Sequence, residues 1–532
     1  MTVATLGGLI FFPLLAAIAW LGVELMLRGL WARAIPTSLW WSVGFAASVV
    51  NAAIAGLVWS SFEPTEVRFQ LVEYARWLPD FGANYLVGVD GLSLLLSVFV
   101  AGLSPLVWLR YRREICAVGK SYAFFLLAFE TTLLGTLLSL NLLLFYVFWE
   151  LSLLSMALLS AGRSSASPRE AVLPFAGVAA AGSLPMLLAI LVLASLGPDA
   201  ELAAGRHILD FIAPVEASGS ALRDLRVPTW GEAVWWKTQP ALFAAFVLAF
   251  VSRSGLFPLH VWLIPTSTAI PRSAAVMLMA ALPLLGIYGL LRFAIPMFPE
   301  SAFAWSPVLV AVATVGLLYG ALIALVERDP RRIAVYVSLA ALHLAIIGLF
   351  SLSGEGFEGA TAFLLTYGIA VAGLLFAIDR LGAEPGAEPA EERPIEPAGL
   401  SPFSLIMLVG VAFAMGGLPG SGGFVSQLLV LLGSYSVYPV ISALATLGLG
   451  LLIIVLLRLV RRVSSAESSS SRFFRVDEGV VLLAALVPTL WIGLYPEPVL
   501  RRLHPSVLEL CAVVETKVSS ETLEKHGWRG CH

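Results

Sequence analysis

The chain has 532 residues, of which 59% are hydrophobic and only 13% are charged. Soluble domains carry roughly 25% charged residues, and the mean hydropathy here is +0.90, so the composition excludes a soluble enzyme and a disordered scaffold. The net charge of −3, without a basic patch, also excludes a nucleic-acid-binding protein. We therefore predict a polytopic membrane protein.

The sequence contains many apolar segments that are long enough to cross a bilayer. A membrane-spanning helix needs roughly 20 apolar residues, and windows of that size predict an all-α protein with about 14 spans. In chain order these are 3–26, 36–60, 90–109, 122–140, 142–161, 171–196, 241–262, 273–296, 307–326, 334–353, 358–379, 402–422, 428–457 and 479–497. The first is expected to be a retained helix, not a cleaved signal peptide, because it is long and further spans follow.

Positive charges are divided unevenly between the two sets of loops. Arginine and lysine are concentrated in loops that follow odd-numbered spans, as in residues 110–120, 328–332 and 458–475. Because positively charged loops stay on the cytoplasmic side, these loops are predicted to be cytoplasmic. Both termini are then expected outside, in a multi-pass protein of the inner (cytoplasmic) membrane.

Helix-breaking residues interrupt two of the predicted spans. Span 7 reads SRSGLFPLH and contains Pro258, and span 12 reads GGLPGSGGF and contains Gly417, Pro419 and Gly420. Glycine and proline break helices, and backbone groups freed in this way are tolerated in a membrane only inside protein or beside a water-filled cavity. Because the breaks lie five spans apart, we expect inverted repeats of spans 4–8 and 9–13, as in transporters. Two ordinary kinks are the alternative.

These repeats predict a division of the chain into four parts. They are residues 1–121 with spans 1–3, residues 122–296 with the first repeat, residues 297–457 with the second repeat, and residues 458–532 with a linker, span 14 and an external tail.

Few ionisable side chains lie inside the predicted spans. They are Glu130 in span 4, Glu150 in span 5, Arg253 at the break in span 7, His260 just beyond it, and His343 in span 10. Such groups cost about 2.5–3.5 kcal/mol or more at mid-membrane and usually have a function. Glu150 and Arg253 are predicted to form the core of a proton path, and a static ion pair that fixes helix packing is an equal alternative.

The remaining ionisable groups near the spans have simpler interpretations. His343 on an apolar face is expected to be a satisfied core histidine more often than a proton relay. Four charged residues near span ends are expected to extend to the membrane interface: Glu24, Arg292, Asp379 and Arg380.

The cysteines and the known catalytic motifs give no sign of a bound cofactor. Cys116, Cys511 and Cys531 lack the spacing of a metal site, and a metal site or disulfide formed by Cys511, His526, Cys531 and His532 is disfavoured against an incidental terminus. No nucleophile elbow, phosphate-binding loop, dinucleotide fingerprint or haem-attachment motif is present. The chain is therefore not expected to bind a metal or to carry out redox chemistry itself.

Six segments resemble the M-subunit family of respiratory complex I, the NADH:quinone oxidoreductase. They are GVDGLSLLL at 88–96, NLLLFYVFWE at 141–150, LFPLHVWL at 256–263, YGLLRF at 288–293, YGAL at 319–322 and GLPGSGGF at 417–424. The resemblance implies an antiporter-like subunit that translocates protons, driven by electron transfer from NADH to quinone elsewhere in the complex. It also implies that the flavin, the iron–sulfur clusters and the quinone site belong to partner subunits.

The resemblance assigns roles to single residues as well. The family's fourth- and fifth-span glutamates correspond to Glu130 and Glu150, and its seventh-span lysine corresponds to Arg253. Four other family positions differ: the span 8 lysine is Leu284, the span 10 histidine is Ala341, the polar span 11 residue is Tyr367, and the span 12 glutamate is Gln427. Arginine keeps its proton, with a pKa above about 12, and leucine and glutamine do not titrate, so impaired pumping is expected.

Three hypotheses follow from the sequence. The leading one is a proton-translocating membrane-arm subunit with impaired pumping, in contact with other membrane-arm subunits and lipid. The second is a structural subunit of the same complex that no longer pumps. The third is a cation/proton antiporter chain or a partner in inorganic-carbon transport.

Overall fold

The computed structural model describes residues 5–31, 35–78, 83–160, 168–195, 210, 232–379, 402–464, 476–526 and 528. Thirteen helical segments in this part of the chain are long and apolar enough to cross a membrane, and two shorter apolar helices make one more broken span. The prediction of an all-α protein with about 14 spans is confirmed.

Eleven spans are single helices in the described residues. They are Leu6–Trp31, Thr37–Ser61, Gly91–Arg110, Lys120–Leu138, Leu142–Ser160, Pro168–Ser195, Pro299–Val326, Pro330–Phe350, Gly354–Ile378, Pro439–Ser464 and Val476–Leu494, which are spans 1–6, 9–11, 13 and 14. Two short helices, Arg112–Val118 and Ser520–Lys525, lie outside the spans.

The other three spans are interrupted. Span 7 consists of Glu232–Ser254, a 3₁₀ turn at Leu259–Trp262 and a helix at Leu263–Ala269. Span 8 consists of Arg272–Ala280, Leu282–Gly289, a π-helical turn at Leu290–Ala294 and Ile295–Met297. Span 12 consists of Pro402–Met415 and Gly422–Val437.

The predicted boundary between spans 12 and 13 is wrong. Residues 428–457 were expected in one span, but the helix from Gly422 ends at Val437 and a new helix begins at Pro439. Proline suits the first turn of a helix because its missing N–H would have no partner there. The break at residues 416–421 therefore lies in the middle of span 12, as the break of span 7 lies within that span.

Two elements outside the spans were not predicted. Strands β1 (Gln70–Leu78) and β2 (Ala83–Val89) pair antiparallel, with Tyr74 opposite Leu86, between spans 2 and 3. The outer helix, Glu497–Lys517, follows span 14 and buries one face, which includes Val499, Leu503, Val507 and Leu510. The regular spacing of these apolar residues is typical of a helix lying on a surface.

Contacts between loops separate the bundle into two ends. At one end, the Arg272 guanidinium donates to the Asp379 carbonyl and that of Arg462 to the Arg328 carbonyl. At the other end, the outer helix reaches span 8, where Lys517 Nζ donates to the Pro296 carbonyl at 3.3 Å. The loops after odd-numbered spans thus share one end, as the charge distribution requires.

Spans 8, 10 and 11 form the centre of the bundle. Their most apolar 18-residue windows are completely buried, whereas the corresponding windows of spans 1, 2, 6 and 13 are less than half buried. Span 8 belongs to the first predicted repeat, and spans 10 and 11 belong to the second. The core therefore lies at spans that the sequence assigned to both predicted repeats.

Candidate functional site

The break in span 7 is built by glycine and proline and closed by side chains. The helix ends at Ser254, and Gly255 has a φ of +65°, which glycine adopts without strain. Trp262 Nε1 donates to the Ser252 carbonyl at 3.0 Å, and Ser254 Oγ donates to the Pro283 carbonyl at 2.9 Å. These bonds fix the interrupted backbone to itself and to span 8.

Arg253, the last residue but one of this helix, is completely buried against span 5. Its Nη1 donates to the Trp149 carbonyl at 3.1 Å and to Ser152 Oγ at 2.9 Å. The guanidinium carbon lies 4.3 Å from the centre of the Trp149 ring. A carbonyl, a hydroxyl and an aromatic face thus replace the water that would surround the cation in solution.

Glu150 lies next to this cation without a close contact. Arg253 Nη2 is 3.9 Å from Glu150 Oε1, which is within ion-pair range but beyond a hydrogen bond. The Glu150 side chain is 31% exposed at the surface of the chain, whereas that of Arg253 is 1% exposed. The predicted pair is therefore brought together, at a partly exposed side chain whose Oε1 is buried beside the cation.

Several polar atoms around the pair are buried without a hydrogen-bond partner in the described residues. They are Glu150 Oε1, Arg253 Nε, Arg253 Nη2 and Trp149 Nε1. Buried polar groups without protein partners are usually satisfied by water. The carboxylate, the cation and the Trp149 indole thus each have a buried polar atom without a hydrogen-bond partner among the described residues.

Glu130 is completely buried, unlike Glu150, and lies in a different environment. Asn51 Nδ2 of span 2 donates to its Oε1 at 2.7 Å, and Ser104 Oγ of span 3 is 2.5 Å from its Oε2. The partners of Glu130 thus come from spans 2 and 3, while the partner of Glu150 comes from span 7. The structure does not join the two glutamates in one hydrogen-bonded group.

The two histidines lie on either side of the chain after the break. His260, in the 3₁₀ turn, stacks on Phe257 with ring centres 5.6 Å apart and meets the Tyr319 ring edge-on at 5.2 Å. His343 Nε2 in span 10 is 3.0 Å from the Phe257 backbone nitrogen. Both predicted residues therefore contact the segment that follows Arg253.

Four positions hold a different residue from the one that the resemblance implies, and all four are buried in the bundle: Leu284, Ala341, Tyr367 and Gln427. Near the last two, Thr366 Oγ1 and Ser426 Oγ lie 3.0 Å apart. Hydroxyl groups donate and accept hydrogen bonds but hold no charge at neutral pH. Near Tyr367 and Gln427, the two hydroxyl groups thus form an uncharged polar contact between spans 11 and 12.

Gln427 supports the break in span 12. Its Nε2 donates to the carbonyl of Met415, the last residue of the preceding helix, at 3.2 Å. A Cβ on Gly417, where φ is +63°, would lie 1.8 Å from Gln427 Oε1. The glycine thus provides both the backbone conformation and the space for the amide.

Replacing Gln427 with leucine is expected to lower the free energy of unfolding by about 1–3 kcal/mol, because the buried Met415 carbonyl loses its donor. Thermal unfolding of the purified protein in detergent would measure this loss. Gln427→Glu is the second variant to measure, because a glutamate side chain can donate to the Met415 carbonyl only when it is protonated. Equal stability of wild type and Gln427→Leu would contradict the role of the amide.

Charged residues near the span ends are more buried than predicted. Glu24, Arg292 and Asp379 are 2%, 5% and 9% exposed, so protein encloses their side chains, and Arg380 lies outside the described residues. Neighbouring elements supply their partners: Glu24 Oε2 accepts a hydrogen bond from Trp40 Nε1 at 2.5 Å. Sequence position alone could not reveal these neighbours.

Sequence reasoning missed an ion pair at the start of span 3. Arg292 Nη2 lies 2.5 Å from Asp90 Oδ1, and the two side chains are 5% and 6% exposed. Asp90 also caps span 3, since its Oδ1 accepts a hydrogen bond from the Ser93 backbone N–H at 3.0 Å. An aspartate followed three residues later by serine just before an apolar run was the available signal of this cap.

At the C-terminus, a metal site and a disulfide were both disfavoured against an incidental terminus, and the disulfide is nevertheless present. Cys511 is disulfide-bonded and Cys116 is a free thiol, while Cys531 and His532 lie outside the described residues. A disulfide removes the thiolate that a metal requires. Within the described residues, no group of three or more His, Cys, Asp or Glu side chains could hold a metal ion.

Comparison with known proteins places this arrangement in a family. The family model described as NADH:quinone oxidoreductase/Mrp antiporter, transmembrane, matches residues 139–452. NADH-quinone oxidoreductase subunit M of Mycobacterium tuberculosis is 29% identical over 502 residues, which cover 87% of this chain and 88% of the relative.

Solved structures share the fold. A chain in respiratory complex I from Thermus thermophilus with bound NADH is 26% identical, with a TM-score of 0.79 over 96% of this chain and all of that chain. A chain of the Mrp complex from a Dietzia species has a TM-score of 0.71 at 18% identity, over 96% of this chain and 55% of that chain. The second likeness shows the fold alone.

Proposed function

The chain belongs to the NADH:quinone oxidoreductase/Mrp antiporter transmembrane family, and we propose that it is a proton-translocating membrane-arm subunit of a complex I-like assembly. The observation that carries the proposal is the pair of Glu150 and Arg253 at the break of span 7, 3.9 Å apart. Charged groups inside a membrane are rare and mark ion pathways.

The geometry of the pair supports proton movement more than a rigid lock. A static buried ion pair needs close, hydrogen-bonded geometry to offset the loss of water, yet Glu150 Oε1 has no hydrogen-bond partner among the described residues. Protonation of Glu150 would remove its attraction to Arg253, and release of the proton would restore it. The carboxylate is then the group proposed to gain and lose the proton, and the arginine is the charged group beside it.

The partners of this subunit are other membrane-arm subunits and the lipid bilayer. NADH, the flavin, the iron–sulfur clusters and the quinone are assigned to other subunits of the complex, and the redox reaction there supplies the energy for translocation. We place the chain in the inner (cytoplasmic) membrane with the outer helix outside. The disulfide at Cys511 supports this orientation, because disulfides persist in oxidising compartments.

A structural subunit that no longer pumps is the second candidate. It is favoured by Gln427, whose amide supports the backbone at the break of span 12, and by Leu284, which cannot titrate. A chain with a charged first repeat and a neutral second repeat would conduct protons poorly unless water bridges the gap.

The test is Glu150→Gln in the purified complex, reconstituted into vesicles. We expect electron transfer from NADH to quinone to continue with fewer protons moved per electron, because glutamine cannot bind and release a proton. Glu497→Gln, an exposed residue at the start of the outer helix, is the matched control and should leave the ratio unchanged. An unchanged ratio in Glu150→Gln would refute the proposal and favour the structural role.

A further inference from the structure

His343 connects the break of one repeat to a helix of the other. The Phe257 backbone N–H, in the break of span 7, lies 3.0 Å from His343 Nε2 in span 10. The second ring nitrogen, Nδ1, is 2.8 Å from the Leu339 carbonyl. Both ring nitrogens therefore have a backbone group as their hydrogen-bond partner.

These partners define the tautomer. A backbone N–H can only donate, so Nε2 must be the unprotonated, accepting nitrogen, and a carbonyl can only accept, so the proton must be on Nδ1. A second proton on Nε2 would place two N–H groups against each other. Protonation of His343 and its bond to Phe257 thus exclude one another.

The residues around the His343 ring leave a space that the ring fills. His343 is 1% exposed, and a Cβ on Gly316 of span 9 would lie 2.2 Å from His343 Nε2. Glycine at this one point leaves room for the ring to reach the break. Span 9, span 10 and the break of span 7 thus meet at a single side chain.

We propose that His343 is a positioning residue that clamps the break of span 7 to span 10. A break frees backbone groups that lipid cannot satisfy, and the His343 ring satisfies one of them. Arg253 lies four residues before Phe257, so the same bond holds its end of the broken helix at a fixed distance from Glu150. The inference rests on the proposed function only where pumping is measured.

The first experiment compares His343→Gln with His343→Leu in the full complex. The glutamine amide can accept from Phe257 and donate to Leu339, whereas leucine fills the space without either bond. We expect His343→Leu to lower the folded-to-unfolded ratio about ten- to hundredfold, seen as a lower Tm, and to lower the number of protons moved per electron. His343→Gln is expected to restore both.

Two results would overturn the clamp. One is a wild-type Tm in His343→Gln together with pumping as low as in His343→Leu, which would identify His343 as a proton relay. The other is wild-type behaviour of His343→Leu in both measurements. If the wild-type complex moves no protons, the proposed function fails, and the Tm difference between the two variants still decides the clamp.

A second pair of variants tests the clamp without changing His343. Gly316→Ala places a methyl group against Nε2, whereas Gly450→Ala in span 13 meets nothing within 4 Å. We expect Gly316→Ala to lower the Tm and the proton-to-electron ratio, and Gly450→Ala to leave both unchanged. Wild-type values in Gly316→Ala would refute the clamp even if His343→Leu does not fold.

Discussion

Replacing Asp90 with asparagine is expected to lower the free energy of unfolding by about 3–5 kcal/mol, because the Arg292 guanidinium then stays buried without its carboxylate. The two groups are 2.5 Å apart and almost fully buried. Asparagine keeps an oxygen that can accept from the Ser93 backbone N–H, so the cap of span 3 is retained. The measured loss therefore reports the charge and not the cap.

Thermal unfolding of the purified protein in detergent measures this effect. The matched control is Arg332→Leu, which removes an ion pair with Glu327 at 3.2 Å whose side chains are 47% and 16% exposed. Exposed pairs contribute about 1 kcal/mol or less, so this variant should resemble wild type. An equal loss of unfolding free energy in the two variants would show that burial does not make the Asp90–Arg292 pair more stabilising than an exposed pair.

The contribution of the Asp90–Arg292 pair to the free energy of unfolding depends on pH. Burial alone would raise the pKa of Asp90, but the charge and hydrogen bonds of Arg292 outweigh it, so the pKa lies below its usual value. A lowered pKa stabilises the folded state above the pKa of an unfolded aspartate, about 3.9. The stabilisation is lost as the pH falls from there through the lower folded value, so it is fully present at neutral pH.

Replacing Arg253 with leucine is expected to reduce proton pumping at least as much as Glu150→Gln does and to destabilise the protein as well. The carboxylate of Glu150 would lose its cation, and the Trp149 carbonyl and Ser152 hydroxyl would lose their donor. Each hydrogen bond to a charged group contributes about 1.5–3 kcal/mol. Thermal unfolding and the proton-to-electron ratio would be measured on the same preparation.

Arg253→Lys separates the charge from the arginine geometry. Lysine keeps the positive charge, so assembly should be retained, but its ammonium lacks the planar guanidinium whose carbon lies 4.3 Å from the centre of the Trp149 ring. A buried lysine can release its proton whereas arginine keeps it, so this variant is expected to pump at least as fast as wild type. Pumping as low as in Arg253→Leu would contradict the view that charge is the essential property of this residue.

The sequence could locate the charged residues of the site but not their partners. Glu150 and Arg253 were found because charge is rare in apolar spans, and the apolar windows placed them in spans 5 and 7 before the resemblance matched them to family positions. The Trp149 carbonyl and Ser152 hydroxyl, which surround the cation, carry no pattern that distinguishes them from ordinary helix residues. Their role depends on the packing of span 7 against span 5.

His343 is a second residue whose partners could not be predicted from the sequence. Its position on an apolar face allowed a core histidine or a proton relay. The deciding facts are the Phe257 N–H at 3.0 Å and the small Gly316 beside the ring, and both come from other spans. Tautomer and role follow from these neighbours, which lie 86 and 27 residues away in the chain.

The sequence by itself determined the number of spans, the breaks of spans 7 and 12 and the division of the loops between two ends. Each depends on local composition: the spans on apolar length, the breaks on glycine and proline, and the division of the loops on positive charge. The outer helix also had a local signal, the regular spacing of Val499, Leu503 and Val507, that went unused. Only the tertiary structure decided which charges are buried and with what they pair. Arg292 appeared interfacial by its place near the end of span 8, yet Asp90, 202 residues earlier, encloses it, because burial depends on segments that folding brings together.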